Sequence, residues 1–326
     1  MRRLLDRAEE SLAYPETFRA RDEWIRGRRG ARNVLDPHEP YGAFVEDERT
    51  ESGEIVPVAT LLLTNRECPW RCLMCDLWKS TLDGDTVPGA IPRQIERALA
   101  RLGHARRVKL YNAGSLFDPR AVPPEDDAAI AALLAGFERV IVESHPALVG
   151  RRCLEMNERL GGRLEVAMGL ETVHPDVLPR LNKGMTLDDF DAAAERLRGA
   201  GIAMRAFVLA GLPFVARGEQ LAWTVAAIAH AFEAGAAAVS VIPTRTGNGA
   251  MEALSALGQF EMPALSLLED AVALGLGFGR GRVFADLWDL AAFSRCERCL
   301  SARTERLRTM NLTQIVPPTV HCAVCA

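Results

Sequence analysis

The chain has 326 residues, 48% of them hydrophobic and 25% charged, and its 39 basic and 43 acidic side chains give a formal net charge of −4. This is enough apolar material for a large core, either one large α/β domain or a domain with appendages. The charge balance excludes a chain that is basic throughout and leaves room only for a local basic patch.

The segment MRRLLDRAEESLAYPETFRA is charged every few residues and lacks the apolar centre of a signal peptide. No uncharged apolar run is long enough to span a membrane. The expected location is the cytoplasm, where thiols stay reduced. The eight cysteines are therefore expected to be ligands or core fillers. They are grouped as 68/72/75, 296/299 and 322/325. Cys153 stands alone and reads as a buried helix residue. The only lysines are Lys79, Lys109 and Lys183, so arginine supplies the rest of the basic residues and single arginines carry no functional reading.

In chain order, residues 1–50 read as a polar, irregular extension. Its arginine-rich stretch RARDEWIRGRRGAR (19–32) is expected to be a solvated arm, with nucleic-acid contact as the alternative. DPHEPYG (36–42) is a turn-rich linker. Six short apolar runs then predict buried strands at 58–64, 107–113, 139–144, 164–171, 204–211 and 238–243. Helical patterning separates them at 92–103, 125–137, 186–201 and 219–235. The third of these opens with Thr186 and Asp189, a near capping box. Repeated strand–helix units imply a parallel sheet with right-handed crossovers. A partial (β/α)6 TIM-like barrel and an open doubly wound sheet both satisfy the pattern, and in either one ligands sit at the C-terminal ends of the strands. The rhythm is expected to stop after residue 245, leaving a helix at 262–276 and the run GLGFGRGR, which lacks dinucleotide-binding spacing. The domain reading is 1–50 as an arm, 51–250 as the core and 251–326 as a C-terminal extension.

The stretch TNRECPWRCLMCDLWKS places Cys68, Cys72 and Cys75 in the loop after the first predicted strand. Cys-x-x-Cys alone allows a redox pair, half a zinc site or an iron–sulfur ligand. Three thiolates suggest a cubane with one iron left open, and a zinc site completed by a distant residue is the alternative. Near the end of the chain, CERC and HCAVC form two Cys-x-x-Cys knuckles, Cys296/Cys299 and Cys322/Cys325, separated by 22 residues. They predict a thiolate metal site holding zinc or a second iron–sulfur cluster, with His321 as a neighbour.

Cys-x-x-x-Cys-x-x-Cys after a first strand, followed by β/α units, resembles the radical S-adenosylmethionine (radical SAM) superfamily. The resemblance implies a [4Fe–4S] cluster on Cys68, Cys72 and Cys75 whose open iron chelates SAM. Reductive cleavage of SAM would then give a 5′-deoxyadenosyl radical that abstracts hydrogen from substrate. YNAGSLFD, ESHP, GLETVHPDVLPRLNKGMT and AGLP resemble the branch shared by coproporphyrinogen oxidase, the tRNA methylthiotransferases and the elongator-type enzymes. That likeness implies SAM contacts from Asn112 and Gly114 in a degenerate glycine turn, and from Glu143, Glu171 and Lys183. It also implies an external electron donor of flavodoxin or ferredoxin type. Thr244 and Arg245 follow the last predicted strand and are expected at the ligand end. With its cysteine-rich tail, the chain most resembles the group around the archaeosine-synthase radical SAM subunit, which implies a nucleoside or tRNA-linked substrate. A small metabolite or peptide substrate, or a SAM- and metal-binding protein without turnover, remain alternatives.

Overall fold

The structure is a computed structural model and describes residues 13–324. Eight strands form one sheet in strict chain order: β1 (Gly42–Arg49), β2 (Ile55–Leu63), β3 (Arg107–Asn112), β4 (Arg139–Ser144), β5 (Leu164–Glu171), β6 (Ala203–Ala210), β7 (Ala238–Pro243) and β8 (Arg282–Ala285). β1 pairs antiparallel with β2, and every later neighbouring pair is parallel. Between the parallel strands lie helices α2 (Ala90–Arg101), α3 (Asp127–Leu133), α4 (Arg151–Arg159), α5 (Val177–Arg180), α6 (Leu187–Gly199), α7 (Gln220–Glu233), α8 (Ala250–Ala256) and α9 (Leu265–Gly277). A helix before the sheet, α1 (Phe18–Arg26), and one after it, α10 (Glu297–Thr313), complete the chain. This is the expected partial barrel. All six predicted strands are present within a few residues, and Thr186 and Asp189 form a reciprocal capping box at the start of α6.

Two edge strands were not expected. The rhythm does not stop at residue 245, because RVFA forms a seventh parallel strand, β8, beside β7. Four residues behind a glycine-rich run are too short for periodicity to reveal. GAFVEDER forms β1 although its alternating carboxylates look solvated. Glu48 is 6% exposed.

The strands alternate as a pleated sheet requires. Val108, Leu110, Ala206 and Val208 join the main apolar core with Ile91, Ile95, Phe190 and Ile228 of the helices. The intervening residues turn to the barrel interior and carry charge. Arg205 donates from Nε to Glu165 Oε1 (2.9 Å) and from its two terminal nitrogens to both Glu48 oxygens (2.9 and 2.7 Å). Lys109 Nζ lies 2.7 Å from Glu48 and 2.8 Å from Glu46. Above this network Tyr111 and Phe207 meet edge to face, with ring centroids 6.0 Å apart. Two of the three lysines, Lys109 and Lys183, are thus buried and paired.

The free edge of β8 is covered by α10. The Asn311 side chain pairs with both backbone groups of Ala285 (2.7 and 2.9 Å), and that of Gln314 with both of Val283 (2.7 and 3.0 Å). Arg49 at the other edge donates to the Leu312 carbonyl (3.2 Å).

The arginine stretch is not a solvated arm. Helix α1, capped by Thr17, buries Trp24 and Ile25 against Leu73, Met251, Leu254 and Phe260. No helix of the described residues is long and apolar enough to cross a membrane.

Candidate active site

The cysteine loop leaves β2 at the C-terminal end of the sheet and is pinned from almost every side. Gln94 of α2 holds both backbone groups of Thr64, at 2.8 and 2.7 Å. Glu67, next to Cys68, is clamped by Arg29 (2.7 Å), by Arg32 and by Arg71 (3.1 Å). The turn after α5 supplies the Leu181 carbonyl to Leu73 N–H (2.9 Å), and the Asn182 side chain donates to the Arg71 carbonyl (3.0 Å). From the loop after β7, Asn248 donates to the carbonyls of Leu73 (2.8 Å) and Cys75 (3.2 Å). Trp70 lies on the ring of His145, which follows β4.

Burial pushes each of the Cys68, Cys72 and Cys75 thiols up to about 12, and the neighbouring thiols add to the effect. Lys183 opposes it at Cys68 and Cys72. Three half-buried thiols in mutual electrostatic contact need a cationic centre to become thiolates, and an iron cluster provides one. The donor set therefore fits such a cluster.

The polar groups around this loop come from successive strand ends. Asn112 closes β3, and its backbone N–H donates to Glu143 Oε2 (2.9 Å) at the end of β4. Both polar atoms of the buried Asn112 side chain lack a hydrogen-bond partner among the described residues, as do Thr64 Oγ1, Asn65 Oδ1 and Thr244 Oγ1. Buried groups of this kind are normally satisfied, so the orphans at these strand ends fit a polar ligand. Burial raises the Glu143 carboxyl to about 8, so it is largely protonated near neutral pH without a ligand. Gly114 has φ +144°, and a Cβ there would stand 3.0 Å from the Cys68 Cβ. Backbone at this position can approach the cysteine loop only as glycine.

At the end of β5 a register shift lies between Gly169 and Glu171, and Glu171 takes a left-handed φ of 65°. Its carboxylate receives Lys183 Nζ at 2.5 Å, both side chains being buried. A Cβ on Gly169 would fall 2.0 Å from Glu171 Oε1 and 2.1 Å from Lys183 Nζ. The missing side chain makes room for that ion pair.

The structure thus gathers Cys68, Cys72, Cys75, Asn112, Gly114, Glu143, Glu171 and Lys183 at one end of the sheet. Thr244 is buried beside them, whereas Arg245 is taken up by Asp286 (3.0 Å). Sequence reasoning missed Glu67 and its arginines, Gly169, Asn182 and Asn248. The signals were weak: Glu67 adjoins a cysteine, Asn182 precedes Lys183, and Asn248 sits between two glycines. Cys153 is a fully buried residue of α4, as expected. Near the end of the chain, the ligand atoms of Cys296, Cys299 and Cys322 all lie within 4.8 Å of one another. Cys325 lies outside the described residues.

A family model described as the Radical SAM superfamily matches residues 62–235. The chain belongs to the radical SAM superfamily. This radical SAM enzyme is 28% identical over 289 residues to the archaeosine synthase subunit beta of Methanosarcina acetivorans, covering 78% of each chain. It is 24% identical over 255 residues to an uncharacterised protein of Methanocaldococcus jannaschii, covering 73% of this chain and 70% of the relative. Against the archaeosine synthase subunit beta of Thermococcus kodakarensis it is 30% identical over 147 residues, only 45% of that protein's length. Among solved structures, the Methanocaldococcus infernus Elp3 with an N-terminal deletion superposes with a TM-score of 0.50 at 12% identity, covering 68% of this chain and 59% of that one. At that identity the likeness bears on fold alone. SAM and a [4Fe–4S] cluster are the cofactors of the family.

Proposed function

We propose that Cys68, Cys72 and Cys75 hold the [4Fe–4S] cluster and that SAM fills the space among the strand ends. Its amino group would lie at the Asn112–Gly114 turn, its ribose at Glu143, and its carboxylate near the Glu171–Lys183 pair. Held by these residues, the cluster and SAM would supply radical chemistry for hydrogen abstraction from substrate, with an external flavodoxin- or ferredoxin-type donor providing the electron. The chain's own residues position SAM, and the covering loops exclude water from it.

The observation that carries this reading is the set of buried, unpartnered polar atoms of Asn112, Thr64, Asn65 and Thr244 at the strand ends beside three thiols that require a cation. For the substrate class, the likeness to archaeosine synthase beta subunits supports a modified nucleoside in tRNA. The net charge of −4 requires local contacts rather than a basic surface. A location in the cytoplasm accords with this chemistry.

Anaerobically reconstituted protein should form 5′-deoxyadenosine from SAM under dithionite, and cleavage retained after Cys68, Cys72 and Cys75 are all replaced by alanine would sink the site assignment. Binding without cleavage under strong reductant would instead favour a protein that has lost turnover. Affinity for tRNA that falls steeply with salt supports the nucleic-acid substrate. No binding at low salt would redirect the search to a small metabolite or peptide.

A further inference from the structure

We propose that Cys296, Cys299 and Cys322 bind a single zinc ion rather than a second iron–sulfur cluster, and that this ion fastens the C-terminal tail to the start of α10.

The separation of the sulfurs decides between the two. Zinc–thiolate bonds are about 2.3 Å, so tetrahedral geometry sets neighbouring sulfurs about 3.8 Å apart. Cys296 and Cys322 Sγ are 3.9 Å apart, and no ligand pair within the trio exceeds 4.8 Å. A cubane puts its own iron–sulfide core between the cysteines, with a separate iron under each thiolate, and spreads the cysteine sulfurs much further. This trio has the compactness of a mononuclear centre. Among the described residues no other group of three metal-binding side chains is this close.

The surroundings suit a thiolate-rich ion. Cys296 is the N-cap of α10 and Cys299 lies in its first turn, where partial positive charge favours anionic sulfur. One turn further along the helix, Arg303 hydrogen-bonds the Cys299 sulfur and pairs with Glu269 of α9. Three thiolates around Zn²⁺ leave one negative charge, which that guanidinium offsets. Arg306 also holds Glu269 (3.0 Å) and reaches the carbonyls of Pro317 and Pro318 (3.3 and 3.0 Å), so the returning tail arrives with Cys322 already at Cys296.

Apolar packing gives the tail little hold. Ile315, Val316 and Val324 are 67%, 43% and 63% exposed. A segment with so little buried surface gains its order from the metal.

The test uses the full chain with Cys68, Cys72 and Cys75 replaced by alanine, which separates this site from the cluster loop. Metal analysis should find one zinc per chain, and zinc-edge X-ray absorption should show a shell dominated by sulfur. Cobalt(II) exchanged into the native full-length chain should give the intense absorption of tetrahedral thiolate cobalt, a readout that requires no tail variant. Adding Cys322→Ser should remove the zinc and speed proteolysis of the tail, whereas Cys153→Ala in the same background should leave both unchanged. Four irons with a brown chromophore, a single iron in place of zinc, zinc ligated by nitrogen and oxygen, or no metal would each overturn the proposal.

Discussion

Trp70 lies flat on His145, with ring centroids 3.5 Å apart and planes inclined by only 9°. The stack joins the middle of the cysteine loop to the turn after β4. His145 in turn donates from Nε2 to the Lys183 carbonyl (3.0 Å) and accepts from Ala147 N–H at Nδ1 (3.2 Å). Burial and the nearby Lys183 charge hold its pKa down at about 3, so the ring stays neutral and both nitrogens keep these roles. Trp70→Ala should therefore loosen the loop. We expect a stability loss of about 2 kcal/mol, below the range for a fully buried aromatic. Iron retained after reconstitution should fall more sharply than the melting temperature. Unchanged iron retention would show that the stack does not position the loop.

Gly169→Ala tests the space reserved for the Glu171–Lys183 pair. A methyl group 2.0 Å from Glu171 Oε1 forces both ends of the pair to move from their present geometry. Breaking a buried pair costs roughly 3–5 kcal/mol. Thermal denaturation should show a loss up to that size, and calorimetry should show SAM binding weakened. Wild-type affinity in the variant would contradict the placement of SAM near this pair.

Glu67→Ala removes the acceptor shared by Arg29, Arg32 and Arg71. Arg29 and Glu67 are each only 10% exposed in their side chains, so the guanidinium would be left poorly compensated. The segment between α1 and the cysteine loop should become susceptible to limited proteolysis, and loop iron should be lost faster to chelator. The same proteolytic pattern as wild type would refute the clamp.

The interior network sets an acid limit on stability. Burial alone would raise the Glu48 carboxyl, but Arg205 and Lys109 hold it well below its ordinary 4.5. A depressed carboxylate contributes stability that is fully present above the unfolded-state pKa and lost as pH falls through the folded one. Wild-type stability should thus decline steeply as pH drops below about 4.5. Glu48→Gln should cost about 3–5 kcal/mol at neutral pH by stranding Arg205, and should flatten the acid dependence. Parallel acid titrations of the two proteins, followed by circular dichroism, would check both points.

Much of this was legible from residue patterns because parallel strands buried against helices read as apolar runs, and the cysteine spacing is dictated by ligand chemistry. The interior was not legible. Arg205 and its partner Glu165 sit within apolar strands, and the other partner of Arg205, Glu48, is more than a hundred residues away in a segment that looks solvated. Local periodicity carries no record of such a pairing. Arg29, Arg32 and Arg71 were similarly hidden, since in a chain whose basic residues are almost all arginine nothing distinguishes the three that reach Glu67. Gly169 and Gly184 matter for what they lack. A Cβ on Gly184 would meet Trp70 at 2.7 Å, a constraint that exists only once distant loops have come together.

The amides of Asn311 and Gln314 imitate a neighbouring strand along β8, each offering one donor and one acceptor to the backbone. A bare parallel edge is a template on which a second chain can add, and long exposed edges invite aggregation. Here that template is already occupied at Val283 and Ala285, two of the four residues of the strand. The sheet can therefore stop short of a closed cylinder without becoming adhesive. Losing the tail helix would have a consequence separate from any loss of metal: it would uncover the β8 edge, and the truncated protein should self-associate through it.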